Sequence, residues 1–133
     1  MRTYDPTEVQ INLGPLTISG FADGSFIKIT RSKQDRYSVK VGTKGEVSRS
    51  KVTDNSGTIT ISLKHTSPCN AKLYLLEKSP ATFPVTVIEN GDTKFVATVT
   101  EAWIAKTPEP DFGAEDGKSD WTIGCADLTF AQI

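Results

Sequence analysis

The residues able to do chemistry are few. His65 is the one histidine and Cys69 and Cys125 are the two cysteines. His65 and Cys69 are four residues apart, but the chain reads as a strand end at His65 and a helix start at Cys69. Cys69 also falls on an apolar helix position, so a thiolate–imidazole pair is not indicated. A lone histidine without metal-ligand neighbours reads as structural or exposed. The cysteines lie far apart, nothing at the N-terminus resembles a secretory signal, and both read as buried thiols. Glu109, Asp111, Glu115, Asp116 and Asp120 crowd one Pro/Gly-rich stretch. Their spacing does not fit a calcium loop, so they read as solvated carboxylates. Asp111-Phe112-Gly113 spells a kinase triplet, without the glycine-rich or catalytic loops that would give it meaning. These observations point away from an enzyme and call for no cofactor and no metal.

The elements around these residues are β-type. The chain has 133 residues, a length that fits a single domain spanning 1–133. It holds 17 threonines, 10 isoleucines and 9 valines, stiff side chains suited to a pleated sheet. Apolar residues alternate at Val9, Ile11 and Leu13, then Leu16 and Ile18. They alternate again at Tyr37, Val39 and Val41, which predicts a half-buried strand. Ile59, Ile61 and Leu63 follow the same rule, as do Phe83, Val85 and Val87. Phe95, Ala97, Val99 and Trp103 share one parity, and so do Trp121, Ile123 and Cys125. Asp23-Gly24 and Asn90-Gly91 are hairpin signals, the second fitting a type I′ turn. The shift of parity at Leu128 and Phe130 predicts a bulge near Ala126-Asp127.

One helix is predicted at about 68–78. Ser67 is the cap, Pro68 occupies the first turn, Cys69, Leu73 and Leu76 share a face, and Pro80 follows. Residues 43–57 are polar and read as a long protruding loop or hairpin. The expected fold is all-β, a sandwich or open barrel of about seven to eight strands. No apolar run is long enough to span a membrane as a helix.

Charge is balanced overall, with 15 basic and 16 acidic side chains. That removes a global case for nucleic-acid binding. Locally the charges separate. Residues 28–51 carry eight basic residues against Asp35 and Glu46, while 108–127 carry six acids against Lys118. Such a chain is self-complementary: the basic region of one copy can meet the acidic segment of the next, closing a ring or extending a filament. Thr58, Thr60 and Ser62 on one strand, and Val96, Thr98 and Thr100 on another, form faces that can be wetted or paired between subunits.

An ordered set of segments resembles bacteriophage tail tube proteins of contractile, myovirus-type tails. Gly45-Glu46-Val47-Ser48-Arg49-Ser50, followed by Asp54-Asn55-Ser56-Gly57-Thr58-Ile59-Thr60-Ile61, is similar to their protruding loop and the strand after it. Thr66-Ser67-Pro68-Cys69-Asn70 is similar to the entry into their single helix. Glu101-Ala102-Trp103-Ile104-Ala105-Lys106-Thr107-Pro108, Phe112-Gly113, Trp121 and Cys125-Ala126-Asp127-Leu128 resemble their C-terminal part. The resemblance runs from about Gln10 to Phe130.

It implies a virion structural protein, made in the host bacterial cytoplasm, that forms hexameric rings stacked into an inner tail tube for DNA ejection. Its implied partners are itself, the tail sheath, tape-measure, baseplate and tail-terminator proteins. DNA would pass only as transient cargo, and no membrane is involved. By this analogy Lys44, Arg49, Lys51 and Asp54 are candidates for contact between subunits or rings. We add Glu109, Asp111, Glu115 and Asp116 as their proposed acidic partners. Thr58, Thr60, Ser62, Val96, Thr98 and Thr100 are candidates for the inner sheet. Phage-like bacteriocins use the same component. The competing expectation is a monomeric β-sandwich binding carbohydrate or protein, for which Trp103 and Trp121 would form an exposed aromatic platform.

Overall fold

A computed structural model describes residues 9–14, 16–19, 21–22, 26–91, 94–109, 113 and 117–132. The strands, in chain order, are β1 (Val9–Leu13), β2 (Leu16–Thr17), β3 (Ile27–Arg31), β4 (Tyr37–Val41), β5 (Val47–Lys51) and β6 (Gly57–Lys64). After helix α1 (Cys69–Lys78) come β7 (Phe83–Glu89), β8 (Phe95–Lys106), β9 (Lys118–Cys125) and β10 (Leu128–Gln132). The fold is all-β with one short helix, as expected, with ten strands described.

Eight strands make one antiparallel sheet in the order β2-β1-β7-β8-β9-β6-β3, with β10 also pairing β8. β4 and β5 pair only with each other. Chain geometry forces the large sheet to curl. Thr17 ends β2, and Phe21 bridges to Leu63 of β6. Those two strands are five steps apart in the sheet order, about 24 Å if the sheet were flat. The chain from Thr17 to Phe21 reaches only about 14 Å. The sheet therefore wraps until its ends meet, as an open barrel.

The inward residues fuse into one core. Ile11 and Leu13 of β1 meet Ile59, Ile61 and Leu63 of β6, Val85 and Val87 of β7, Val99 of β8, and Trp121 and Ile123 of β9. This is the alternation read from the sequence. Helix α1 adds Cys69 and Leu73, with Leu76 packed beside them. Pro68 already has helical dihedrals, φ −66 and ψ −18. The Ser67 hydroxyl accepts the Cys69 N–H at 3.4 Å and donates to the Ser19 carbonyl at 2.8 Å. The expected cap thus also staples the helix to the chain after β2.

Several local expectations change. β8 carries a bulge against β7: Val85 pairs with Val99, but Phe83 pairs with Ala102. The extra residue reverses the inward parity. Ala102 becomes buried, and Trp103, expected inside with Phe95, Ala97 and Val99, is 44% exposed. Its ring lies on Gly124, where a Cβ would approach it to 2.5 Å. The change of parity after Cys125 is a departure from the strand rather than a bulge. Ala126 and Asp127 turn the chain, and β10 pairs with the first half of β8, placing Leu128 opposite Val99.

Asp23-Gly24 lies outside the described residues, but the runs flanking it are not a hairpin. β2 pairs β1 at one end of the order, and β3 pairs β6 at the other. Asn90-Gly91 does join paired strands, but the last register pair is Glu89 with Phe95, so the connection is longer than two residues. Among the described residues none other than glycine has positive φ, so Asn90 lacks the conformation that a type I′ turn asks of it. A type I′ turn is therefore absent there. β9 begins at Lys118, so Asp120 at the end of the acidic Pro/Gly-rich stretch lies in a strand.

Candidate assembly interface

β4 and β5 form an arm that leaves the barrel between β3 and β6. Every residue in both strands is exposed. Tyr37–Val41 is thus not the half-buried strand its alternation suggested: the alternating face exists, but no part of the described chain covers it. The register places Tyr37 opposite Lys51, Val39 opposite Arg49 and Val41 opposite Val47. One face of the arm therefore shows Tyr37, Val39, Val41 and Val47 with two basic residues. The other shows Ser38, Lys40, Ser48 and Ser50. Val39, Val41 and Val47 are 62%, 68% and 69% exposed. A contiguous apolar strip of this kind marks an interaction surface, and a two-stranded ribbon is marginal on its own in water.

The tip follows from its glycines. The Gly42 N–H donates to the Glu46 carbonyl at 2.7 Å, and the Gly45 N–H to the Gly42 carbonyl at 3.0 Å. Gly45 takes φ +84, open to glycine at little cost. Lys44 sits exposed at this tip. The Arg49 guanidinium stacks 4.2 Å above the Tyr37 ring centroid, which keeps charge and apolar surface on one face. The arm thus carries Lys44 at its tip, Arg49 midway and Lys51 at its root, and it starts earlier than the expected 43–57 protrusion, at Tyr37.

Asp54 lies off the two strands of the arm. It stands in the return leg to β6, where its Oδ1 accepts the Ser56 hydroxyl at 2.6 Å and the Ser56 N–H at 2.9 Å. These bonds, the hydroxyl first, hold its carboxyl below the usual range, and the charges of Lys33 and Arg36 add to the effect. Of the acidic partners, Glu109 is exposed beyond β8. Asp111, Glu115 and Asp116 lie outside the described residues.

The inner-sheet candidates share the barrel face turned away from the core. Thr58, Thr60 and Ser62 alternate with the buried Ile59, Ile61 and Leu63. Thr60 pairs with Thr122, and the Ser62 hydroxyl donates to Asp120 Oδ1 at 2.7 Å. On β8, Thr98 stands between Thr86 of β7 and Thr129 of β10. Val96 is half-buried and Thr100 exposed. Thr30, Thr86, Thr122 and Thr129 belong to the same small-polar face. They were missed one by one, although their parity against the apolar positions marks them.

The sites of possible chemistry stay structural. Cys69 and Cys125 are free and buried. Burial raises the Cys125 thiol to about 11. The Cys69 sulfur accepts the Ser19 N–H at 3.4 Å. Among the described residues, no group of His, Cys, Asp and Glu could hold a metal. Among the described residues, no helix is long and apolar enough to cross a membrane. Trp121 is fully buried, so the two-tryptophan platform of a binding module does not exist.

A curled barrel with an uncovered arm and inert thiols has the character of a building block. The sequence matches the bacteriophage PhiTE tail tube protein family over residues 17–131, and the chain belongs to that family. It is a tail tube structural component, not an enzyme. No curated protein matches the sequence.

Solved structures share the fold. A chain of the PVC extracellular contractile injection system sheath-tube complex, in its extended state, aligns with TM-score 0.66 at 12% identity, covering 98% of this chain and 93% of that one. The tube-terminating cap of the anti-feeding prophage gives TM-score 0.65 at 12% identity, covering 100% and 93%. The PVC sheath/tube terminator gives 0.65 at 10%, covering 98% of each.

Proposed function

We propose that the chain, as one domain over 1–133, forms hexameric rings that stack into the inner tube of a contractile tail, a conduit for DNA. The observation that carries this reading is the arm, whose apolar face needs a cover that the chain's own described residues do not supply. A second copy is the natural cover, because a homopolymer presents the same surface at every step. In this reading the Thr58–Thr60–Ser62 and Val96–Thr98–Thr100 faces contribute to a continuous inner barrel. Six copies giving about four strands each would make a circumference of roughly 115 Å before tilt, a bore on the scale of tens of Å. A sheath would surround the tube, a tape-measure protein would set its length, and baseplate and terminator proteins would bound it. Assembly would take place in the host cytoplasm.

Charge supplies the specificity. Lys44, Arg49 and Lys51 of one copy would face Glu109, Asp111, Glu115 and Asp116 of the next. Asp54, occupied by Ser56, would shape the arm's return leg rather than make the contact. The test is to replace Lys44, Arg49 and Lys51 with glutamine and follow tube formation by light scattering from low to high salt. The pairing predicts weaker assembly with a flatter salt dependence. Unchanged assembly and unchanged salt dependence would show the pairing to be wrong.

A further inference from the structure

The two legs joining the arm to the barrel, residues 32–36 and 52–56, are tied by side chains as well as backbone. At the barrel end the Ser32 N–H donates to the Ser56 carbonyl at 3.0 Å, and the Ser32 hydroxyl lies 3.2 Å from the Ser56 hydroxyl, whose own proton goes to Asp54. At the arm end the Val52 N–H donates to the Arg36 carbonyl at 2.8 Å. Between these ties sits the Arg36 guanidinium. Its Nη1 donates to Asn55 Oδ1 on the opposite leg at 2.9 Å. Its Nη2 donates to the Lys33 carbonyl, and its Nε lies 3.4 Å from the Gln34 carbonyl. One planar group thus fixes both the turn of the first leg and its distance from the second.

We propose that Arg36 is the positioning residue of the arm, setting its angle on the barrel before a neighbouring subunit binds. The inference rests on the tube-assembly reading and adds a specific device to it. The fork geometry is what matters. A guanidinium holds several acceptors in one plane, whereas an ammonium offers a single rotating donor group. The position of Arg36 at the root of the arm also explains its use: a small rotation there moves the Val41–Val47 tip by the full length of the ribbon. If the arm spends only a tenth of its time in the docking orientation, apparent affinity for the next subunit falls about tenfold.

The experiment has two readouts. The first places spin labels at Ser48→Cys on the arm and Lys72→Cys on α1, both exposed, while the native thiols stay buried. Their distance distribution is measured in the unassembled subunit. It is expected to broaden at least about twofold in Arg36→Ala and Arg36→Lys, and to stay narrow in Lys33→Ala, which keeps the acceptor carbonyl. Asn55→Ala is expected to lie between. The second readout is tube assembly of the unlabelled variants, expected to need about tenfold more protein in Arg36→Ala and Arg36→Lys, with an unchanged denaturation midpoint.

An unchanged distance distribution overturns the inference, whatever assembly does. Rescue by Arg36→Lys in both readouts overturns it as well, since charge alone would then suffice. A broadened arm with unaltered assembly also contradicts it. Failure of the unmutated chain to assemble under any condition would count against the tube reading instead, and the label distances would still decide whether Arg36 holds the arm.

Discussion

The Asn70 carboxamide joins three parts of the chain. Its Nδ2 donates to the carbonyls of Lys64, His65 and Ser67 at 3.1–3.2 Å, and its Oδ1 accepts the Trp121 indole N–H at 2.9 Å. Asn70→Ala leaves the buried Trp121 indole N–H without this acceptor and is expected to cost about 1–3 kcal/mol. A denaturant midpoint reads that loss, and Trp121 emission should shift with it. Cys125 makes a prediction about pH. Its thiol is raised from 9.0 to about 11 by burial, so between those values the folded chain keeps a proton that the unfolded chain loses. Stability is therefore full below pH 9 and falls as pH rises toward 11. Urea titrations across that range should show a fall larger in the wild type than in Cys125→Ala; equal slopes would refute the assignment. At this scale much was legible. The burial of the thiols followed from context, and Trp121 keeps the parity it shares with the buried Ile123 and Cys125. Asn70 was not singled out for its hydrogen bonds, because its partners are backbone carbonyls and a residue more than fifty positions away.

At the scale of elements, the arm carries the clearest expectation. Val39, Val41 and Val47 are more than 60% exposed. Replacing them with threonine should change subunit stability by no more than about 0.5 kcal/mol, yet abolish or severely weaken tube formation. Thermal unfolding of dilute protein alongside sedimentation of concentrated protein separates the two effects. A large stability loss would mean that the barrel covers the arm after all. This element also shows how far a sequence pattern reaches. The alternation of Tyr37, Val39 and Val41 established that one face seeks cover, but period-two patterning cannot say whether the cover is the same chain or another copy. Similarly, the β8 bulge adds one residue without any glycine or proline to mark it. Trp103 was therefore assigned inside, and its place above Gly124 emerged only from the register. Gly124→Ala would drive a Cβ into that ring, so an altered Trp103 emission should accompany it.

For the whole molecule, composition and alternation were enough for an all-β fold with one helix, and the ordered motifs were enough for the tail tube family. The order of strands was not legible. β3 and β6 meet because the arm folds back on itself between them, and β10 meets β8 by returning past β9, so neither pairing rests on a turn signal next to the strands in sequence. Closure of the barrel sends the small polar side chains to one continuous outer face, where a second copy can meet them. The central claim is that this barrel and its arm assemble with copies of themselves into a tube. Electron microscopy of the purified protein, with light scattering on the same sample at low and high salt, tests it most directly. The account predicts rings or hollow tubes with sixfold symmetry, formed in a salt-dependent way. A monomer at every protein and salt concentration, or aggregates without a bore, would contradict it.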